Sequence, residues 1–304
     1  MKSPRKPSLK SDLALIGLGN WGTSLASALT RARLPLREVI VRRRKPSSFL
    51  PTTSWKNATL DARVLWLCVP DSAVSEAAEQ IVRHRPSLRG QIVIHSSGAL
   101  TIGALDPARQ AGAAVASVHP VMTFPTRSPV PLDGVLFGVE APSLATRRVL
   151  HQIIRKLGGI PFDIASKNKA LYHAAGTLAS PLLVSQLHAA IETARLAGLD
   201  PRTAAQWIEV LATATARNLF ARGPSRSFSG PFARGDAPTI DLHLQALQKH
   251  PILADVYRSL ALYALGTLPV RNAQALFEAL RKQPAQKSEV LPGKTRKRPT
   301  PMRN

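Results

Sequence analysis

The stretch LALIGLGNWG, residues 13–22, limits the possible folds more than any other part of the chain. An apolar run fit for a buried strand passes directly into Gly17, Gly19 and Gly22. Leu25, Ala28 and Leu29 then recur on one face of a helix that reaches about Arg31. A strand joined to a helix by so short a turn needs glycine where the chain bends and where helix and strand touch. The same alternation continues downstream. REVIVR (37–42), RVLWLCVP (63–70), GQIVIHSSG (90–98), AVASVHP (114–120), GVLFGVEA (134–141) and GIPFDI (159–164) read as strands. Helices are expected at about 71–83 and 143–157. Strands alternating with helices imply an α/β fold: a doubly wound, mostly parallel sheet covered on both faces.

After Ser166 the strand pattern stops. SKNKALYHAAGTLASPLLVSQLHAAIETARLAG fits one long helix, which Pro181 should kink or divide and Gly198 should stop. A further helix follows, with Asp200 as N-cap, Pro201 at its first position and Gly223 at its end. Two or three more are expected over about 239–283, interrupted at Pro251 and Pro269. The expected organisation is a basic tail over 1–11, an α/β domain over 12–164, an all-α domain over 165–283, and a second basic tail over 284–304.

The net charge of +23 invites a nucleic-acid reading, and its distribution argues against one. Lys2, Arg5, Lys6 and Lys10 against Asp12 leave the first twelve residues at +3. Eight cations against Glu289 leave residues 281–304 at +7. These Pro-, Lys- and Ser-rich ends have the composition of disordered tails and imply only non-specific attraction to polyanions. No run of about 18 apolar residues suggests a membrane span. The start lacks the apolar segment of a secretory signal. Cys68, the single cysteine, excludes an internal disulfide and fits a reducing cytoplasm.

Four cations lie inside the α/β half: Arg42, Arg43, Arg44 and Lys45, at the tip of the second strand. Gly17, Gly19 and Gly22, with Asn20 and Trp21 between them, form the turn at which a dinucleotide pyrophosphate meets a helix N-terminus. The alternative is a Gly-rich turn with no ligand. An Asp or Glu about 20 residues beyond the glycines binds the ribose 2′-hydroxyl in NAD proteins. Here that position is Arg42, and Glu38 lies at the opposite end of the strand. A guanidinium suits a 2′-phosphate that a carboxylate would repel, so the expected cofactor is NADP, with Arg42 and Arg43 as its readers. A solvated charge run is the competing reading. Val69 and Pro70 end a strand at the same sheet edge, and Asp71 either caps the next helix or touches ligand.

His95 and Ser96, in IHSSGA, and His119, in SVHPVMTFP, also fall at carboxyl ends of strands, where such sheets bind ligands. They are candidates to orient or protonate a substrate, or else they satisfy loop backbone groups. Lys169 and His173, four apart, share a helix face whose place at the start of the long helix would return them over the cofactor, and both are candidate catalytic residues. The polar interruption SGPFARGD (229–236), with Arg234 and Asp236, either caps helices or binds an anion. No metal site is expected, because the histidines lack short ligand spacing and a carboxylate cluster.

At GLGNWG, VLWLCVPD, IHSSGAL, VHPVMTFP, LYHAAGTLAS and GPFARGDAPTIDLHLQAL the chain resembles a two-domain family. That family joins a Rossmann-like N-terminal half to a helical C-terminal domain of unknown function. It is related to pyrroline-5-carboxylate reductase and the deazaflavin-dependent NADP reductases. The resemblance implies an NADP-dependent oxidoreductase and a homodimer packed through the helical domains, and it supplies no substrate. The leading reading is hydride transfer between NADP(H) and a small carbonyl, imine or hydroxyacid. Hydroxyacid dehydrogenases of related architecture carry an Asn four residues after the Lys. This chain has His173 there, and Pro181 where Asn is expected, so the hydroxyacid mechanism does not transfer directly. A non-catalytic NADP(H) sensor is the alternative function.

Overall fold

Eight strands form one sheet in the order β3-β2-β1-β4-β5-β6-β7-β8. They are β1 (Leu13–Ile16), β2 (Leu36–Val41), β3 (Thr53–Ser54), β4 (Val64–Leu67), β5 (Ile92–His95), β6 (Ala114–Pro120), β7 (Leu136–Glu140) and β8 (Ile160–Asp163). Every neighbouring pair is parallel except β6 and β7. The structure is a computed structural model and describes residues 12–42 and 51–281. Arg43, Arg44, Lys45 and both expected tails fall outside these residues.

The central strands β1, β4 and β5 are buried at every position because both faces of the sheet are covered there. Leu13 and Leu15 pack with Leu25 and Leu29 of helix α1 (Asn20–Arg31) on one side. Ala14 and Ile16 pack with Val74, Ala78 and Ile81 of α2 (Val74–His84) on the other. The short α3 (Asp106–Gln110) joins the α2 side, and α4 (Leu144–Lys156) the α1 side. β3 and α3 are too short to show as periodic patterns in the sequence.

The chain divides into two compact units between Ser180 and Pro181. The first unit therefore includes α5 (Lys169–Ala179). The second contains α6 (Pro181–Leu196), α7 (Pro201–Arg222), α8 (Pro224–Ser227), α9 (Gly230–Arg234), α10 (Ala237–Ala246), α11 (Pro251–Thr267) and α12 (Ala273–Arg281). Pro181 divides the long apolar helix, as its missing N–H requires. Asp200 caps α7, accepting from the backbone N–H groups of Arg202 and Thr203. Asp236 caps α10 through Thr239, so the SGPFARGD stretch resolves into one short helix, α9, and a cap. The core of this unit joins Ile240 and Leu244 to Ala261, Leu276 and Leu280. Among the described residues one stretch, Ser166–Leu196, is by length and composition apolar enough to cross a membrane, with a mean hydropathy of 1.2 over its best window.

Candidate active site

The glycine turn lies where the sequence places it, between β1 and α1. Gly17 has φ +102°, in the region that side chains avoid, and a Cβ there would sit 2.5 Å from the carbonyl oxygen of Cys68. A Cβ on Gly22 would sit 2.4 Å from the oxygen of Gly17, so helix and turn touch closely. Gly19 differs, because nothing lies within 4 Å of its added Cβ. That open space borders a cavity of about 830 Å³ lined by Gly17, Leu18, Gly19, Arg42, Val69 and Pro70, among others. Gly19 is the N-cap of α1 without a side-chain cap, and no acid stands in the first turn, so its leading N–H groups suit an anion.

Arg42 is exposed at the end of β2 and lines the cavity. Glu38 is spent elsewhere: its carboxylate accepts from the N–H groups of Thr59 and Leu60 and from the Thr59 hydroxyl. The side chains of Asn20 and Trp21 face other loops. Asn20 Nδ2 donates to the oxygen of Phe124 at 2.8 Å, and Trp21 Nε1 to Ser96 Oγ at 2.8 Å. Cys68 borders the cavity as a buried thiol whose pKa burial pushes up, which leaves it unreactive.

A second cluster stands at the carboxyl ends of β5 and β6. His119 Nδ1 lies 2.7 Å from the Tyr172 hydroxyl, with the rings edge-on at 5.5 Å. The His119 and His173 ring centroids are 6.0 Å apart. Both imidazoles press on Gly98, where a Cβ would come within 2.6 Å of His173 Cδ2 and 2.8 Å of His119 Nε2. Burial chiefly, then the charges of His173 and Lys169, push the His119 pKa down to about 4. Burial raises that of Tyr172 to about 12. At neutral pH the pair is an uncharged imidazole beside an intact phenol.

Lys169 does not join this cluster. Its side chain is 1% exposed and its ammonium is fully engaged, 3.1 Å from Ser97 O, 2.5 Å from Ser117 Oγ and 3.3 Å from Glu140 Oε2. Burial lowers its pKa while Glu140 opposes the shift. Glu140 also accepts from Ser166 Oγ at 2.6 Å and from Ile102 N. Lys169 thus pins α5 to the sheet, and three and four residues on Tyr172 reaches His119 and Gly138 while His173 reaches Gly98.

His95 is likewise withdrawn from any ligand. Its Nδ1 accepts from Ser97 N at 3.1 Å, its Nε2 meets Thr101 O at 3.2 Å, and the residue is fully buried. Burial and the Lys169 charge lower its pKa to about 4. Ser96 Oγ accepts from two indoles, Trp21 and Trp66, each at 2.8 Å. Asp71 neither caps a helix through its side chain nor enters the cavity lining, and its carboxylate accepts from Ser97 Oγ at 2.7 Å. Among the described residues no group of three His, Cys, Asp or Glu side chains suits a metal ion.

Sequence reading overlooked Tyr172, although it adjoins His173 and lies one turn after Lys169. It also overlooked Glu140, an acid ending an apolar strand, which is a position that calls for a buried partner.

Comparison with known proteins agrees with this architecture. Residues 3–120 match the model of a Rossmann-like domain, and residues 135–264 match that of a domain of unknown function, DUF2520. No curated protein matches the chain. Similar solved structures include a candidate NADP oxidoreductase from Bacteroides fragilis, 23% identical, covering 83% of this chain and 96% of that one, with a TM-score of 0.67. A V8 variant of imine reductase from Myxococcus stipitatus, in complex with NAD+, is 18% identical over 89% of this chain and 99% of its own, with a TM-score of 0.60. Pyrroline carboxylate reductase from Plasmodium falciparum, with NADP bound, is 14% identical over 89% and 97%, with a TM-score of 0.58. At these identities the likeness carries the fold. The chain thus carries two matches in order, a Rossmann-like domain and then DUF2520.

Proposed function

We propose that the protein is an NADP(H)-dependent oxidoreductase acting on a small carbonyl, imine or hydroxyacid. The observation that carries this reading is the cavity at the glycine turn, which has Arg42 at the tip of β2 and Glu38 committed elsewhere. The cavity suits a dinucleotide on two counts. Its Gly19 wall is open, and Arg42, one of its cations, follows the strand whose tip reads the ribose 2′-substituent in such folds. Similarity to reductases whose structures contain NADP or NAD+ supports the same reading.

Bound there, NADPH supplies the hydride. The chain supplies the proton. With Tyr172 donating to Nδ1, neutral His119 carries its hydrogen at Nε2, the nitrogen that faces Gly98. A substrate oxygen or nitrogen that reaches Nε2 would take that hydrogen while the Tyr172 phenol passes its own to Nδ1, so that the imidazole stays neutral and the phenolate is reprotonated from solvent. The cofactor and proton-donor clusters share one sheet edge and are tied together by the Trp21–Ser96 hydrogen bond.

Further elements of the reading concern assembly and setting. We take the protein to be a homodimer joined through its helical domains, supported by the exposed Trp207, Val210 and Leu211 of α7. The apolar surface of Ser166–Leu196 is read the same way rather than as a membrane span, since Lys169 within it is anchored to Glu140 in the protein. A cytoplasmic location accords with the single cysteine, and the basic tails confer only non-specific attraction to nucleic acid.

The test is cofactor binding followed by calorimetry. Arg42→Asp is expected to weaken NADPH by about tenfold or more while sparing NADH. Equal losses would remove Arg42 from the recognition. Wild-type protein that takes up neither nucleotide would refute the proposal. A panel of ketones, imines and hydroxyacids, followed at the nicotinamide absorbance, then identifies the substrate.

A further inference from the structure

We infer that Arg127 is a second anion-binding residue of the cavity, one that takes the pyrophosphate of the dinucleotide rather than its 2′-phosphate. The inference rests on the proposal that the cavity binds NADP(H). Arg127 belongs to the connection between β6 and β7, residues 121–135. This connection is fastened to the start of α1 at two points. Asn20 Nδ2 donates to Phe124 O at 2.8 Å, and Val130 N donates to Ser24 Oγ at 3.1 Å. The Phe124 ring also packs 5.0 Å from that of Trp21.

Asn20 and Ser24 are one turn apart on α1, so segment 124–130 runs along the helix start that follows the glycine turn. Arg127 lies midway between the two fastenings. It and Pro129 line the same cavity as Gly17, Leu18 and Gly19. Among the described residues Arg127 has no ion-pair partner, and Glu76 of α2 is the acid on the cavity lining.

The two cations of the cavity therefore arrive from different places. Arg42 comes from the tip of β2, where a 2′-substituent is read. Arg127 is strapped to the first turns of α1, where a pyrophosphate meets backbone N–H groups. A guanidinium there adds paired, charged hydrogen bonds to a group that NADPH and NADH have in common. Cofactor preference and overall cofactor affinity should then reside in separate side chains.

Titration calorimetry of the full chain with NADPH and with NADH separates the roles. Arg127→Ala is expected to weaken both nucleotides by a similar factor, about tenfold or more. Arg127→Lys, which keeps the charge and loses the fork, should fall between it and wild type. Ser24→Ala, which releases Val130 N, should weaken both by a smaller common factor. A melting curve of Arg127→Ala that overlays wild type shows that the fold is intact. Unchanged affinity in Arg127→Ala overturns the inference, and so does a loss confined to NADPH, which would place Arg127 beside Arg42. Wild-type protein that binds neither nucleotide overturns the parent proposal instead.

Discussion

In the first unit β1, β4 and β5 are buried at every position, whereas in the second α7, 22 residues long, buries only Ala204. Large apolar side chains are among those left outside. Phe220 is 87% exposed and Val210 65%, and Leu182, Leu183 and Leu242 are exposed with them. The sheet closes its own core with helices on both faces. The helical unit completes a core only where α10, α11 and α12 meet. The contrast teaches that the first unit's stability is internal, set by buried contacts, while the second exposes apolar surface of the kind that interaction sites carry.

The largest expected effect breaks the first half of this comparison. Lys169→Met leaves Glu140 buried without its ammonium, and should lower the unfolding free energy of the protein by about 3–5 kcal/mol. Combining it with Glu140→Leu should recover most of the loss, because the pair is then replaced by packing. Urea denaturation reads both variants, and a neutral single substitution would show that the ion pair does not hold α5.

A smaller effect comes from pH. His95 titrates near pH 6.5 when unfolded and near 4 when folded, so the unfolded chain binds the proton first as the solution is acidified. Stability is then full above pH 6.5 and falls as the pH drops toward 4, by an amount on the order of 2–3 kcal/mol from this group. His95→Asn, which can serve both Ser97 N and Thr101 O, should flatten that slope. A slope unchanged in the variant would assign the loss to His119 or to carboxylates.

The smallest effect on folding is expected on α7. Glutamate at both Val210 and Leu211 should leave the isolated chain within about 0.5 kcal/mol of wild type, as exposed sites do. In sedimentation it should convert a dimer to a monomer. Wild-type protein sedimenting as a monomer at micromolar concentration would sharpen the contrast differently, by requiring another partner for that surface.

Most of the sheet was legible in the sequence because parallel strands buried on both sides read as unbroken apolar runs. The glycine turn was legible because its geometry admits few residue types. The helical half was legible in outline, since Pro181, Asp200, Gly223 and Pro251 mark helix ends by backbone chemistry. The inner polar network was not. Nothing local distinguishes His95, sealed between two backbone groups, from His119, with one nitrogen engaged by Tyr172 and the other over Gly98. Lys169 reads as a surface or catalytic amine until Glu140, 29 positions upstream, is brought beside it by the strand order. Arg127 had no pattern of its own, because its placement depends on hydrogen bonds to a helix more than a hundred residues earlier.

Ser96 shows what such long-range contacts do to a common side chain. A hydroxyl oxygen has two lone pairs, and the indoles of Trp21 and Trp66 occupy both. A residue that ordinarily gives and takes with equal ease has thereby lost one of its two options. Its hydrogen is the only bonding capacity left over, so any atom that settles against it must bring an electron pair of its own.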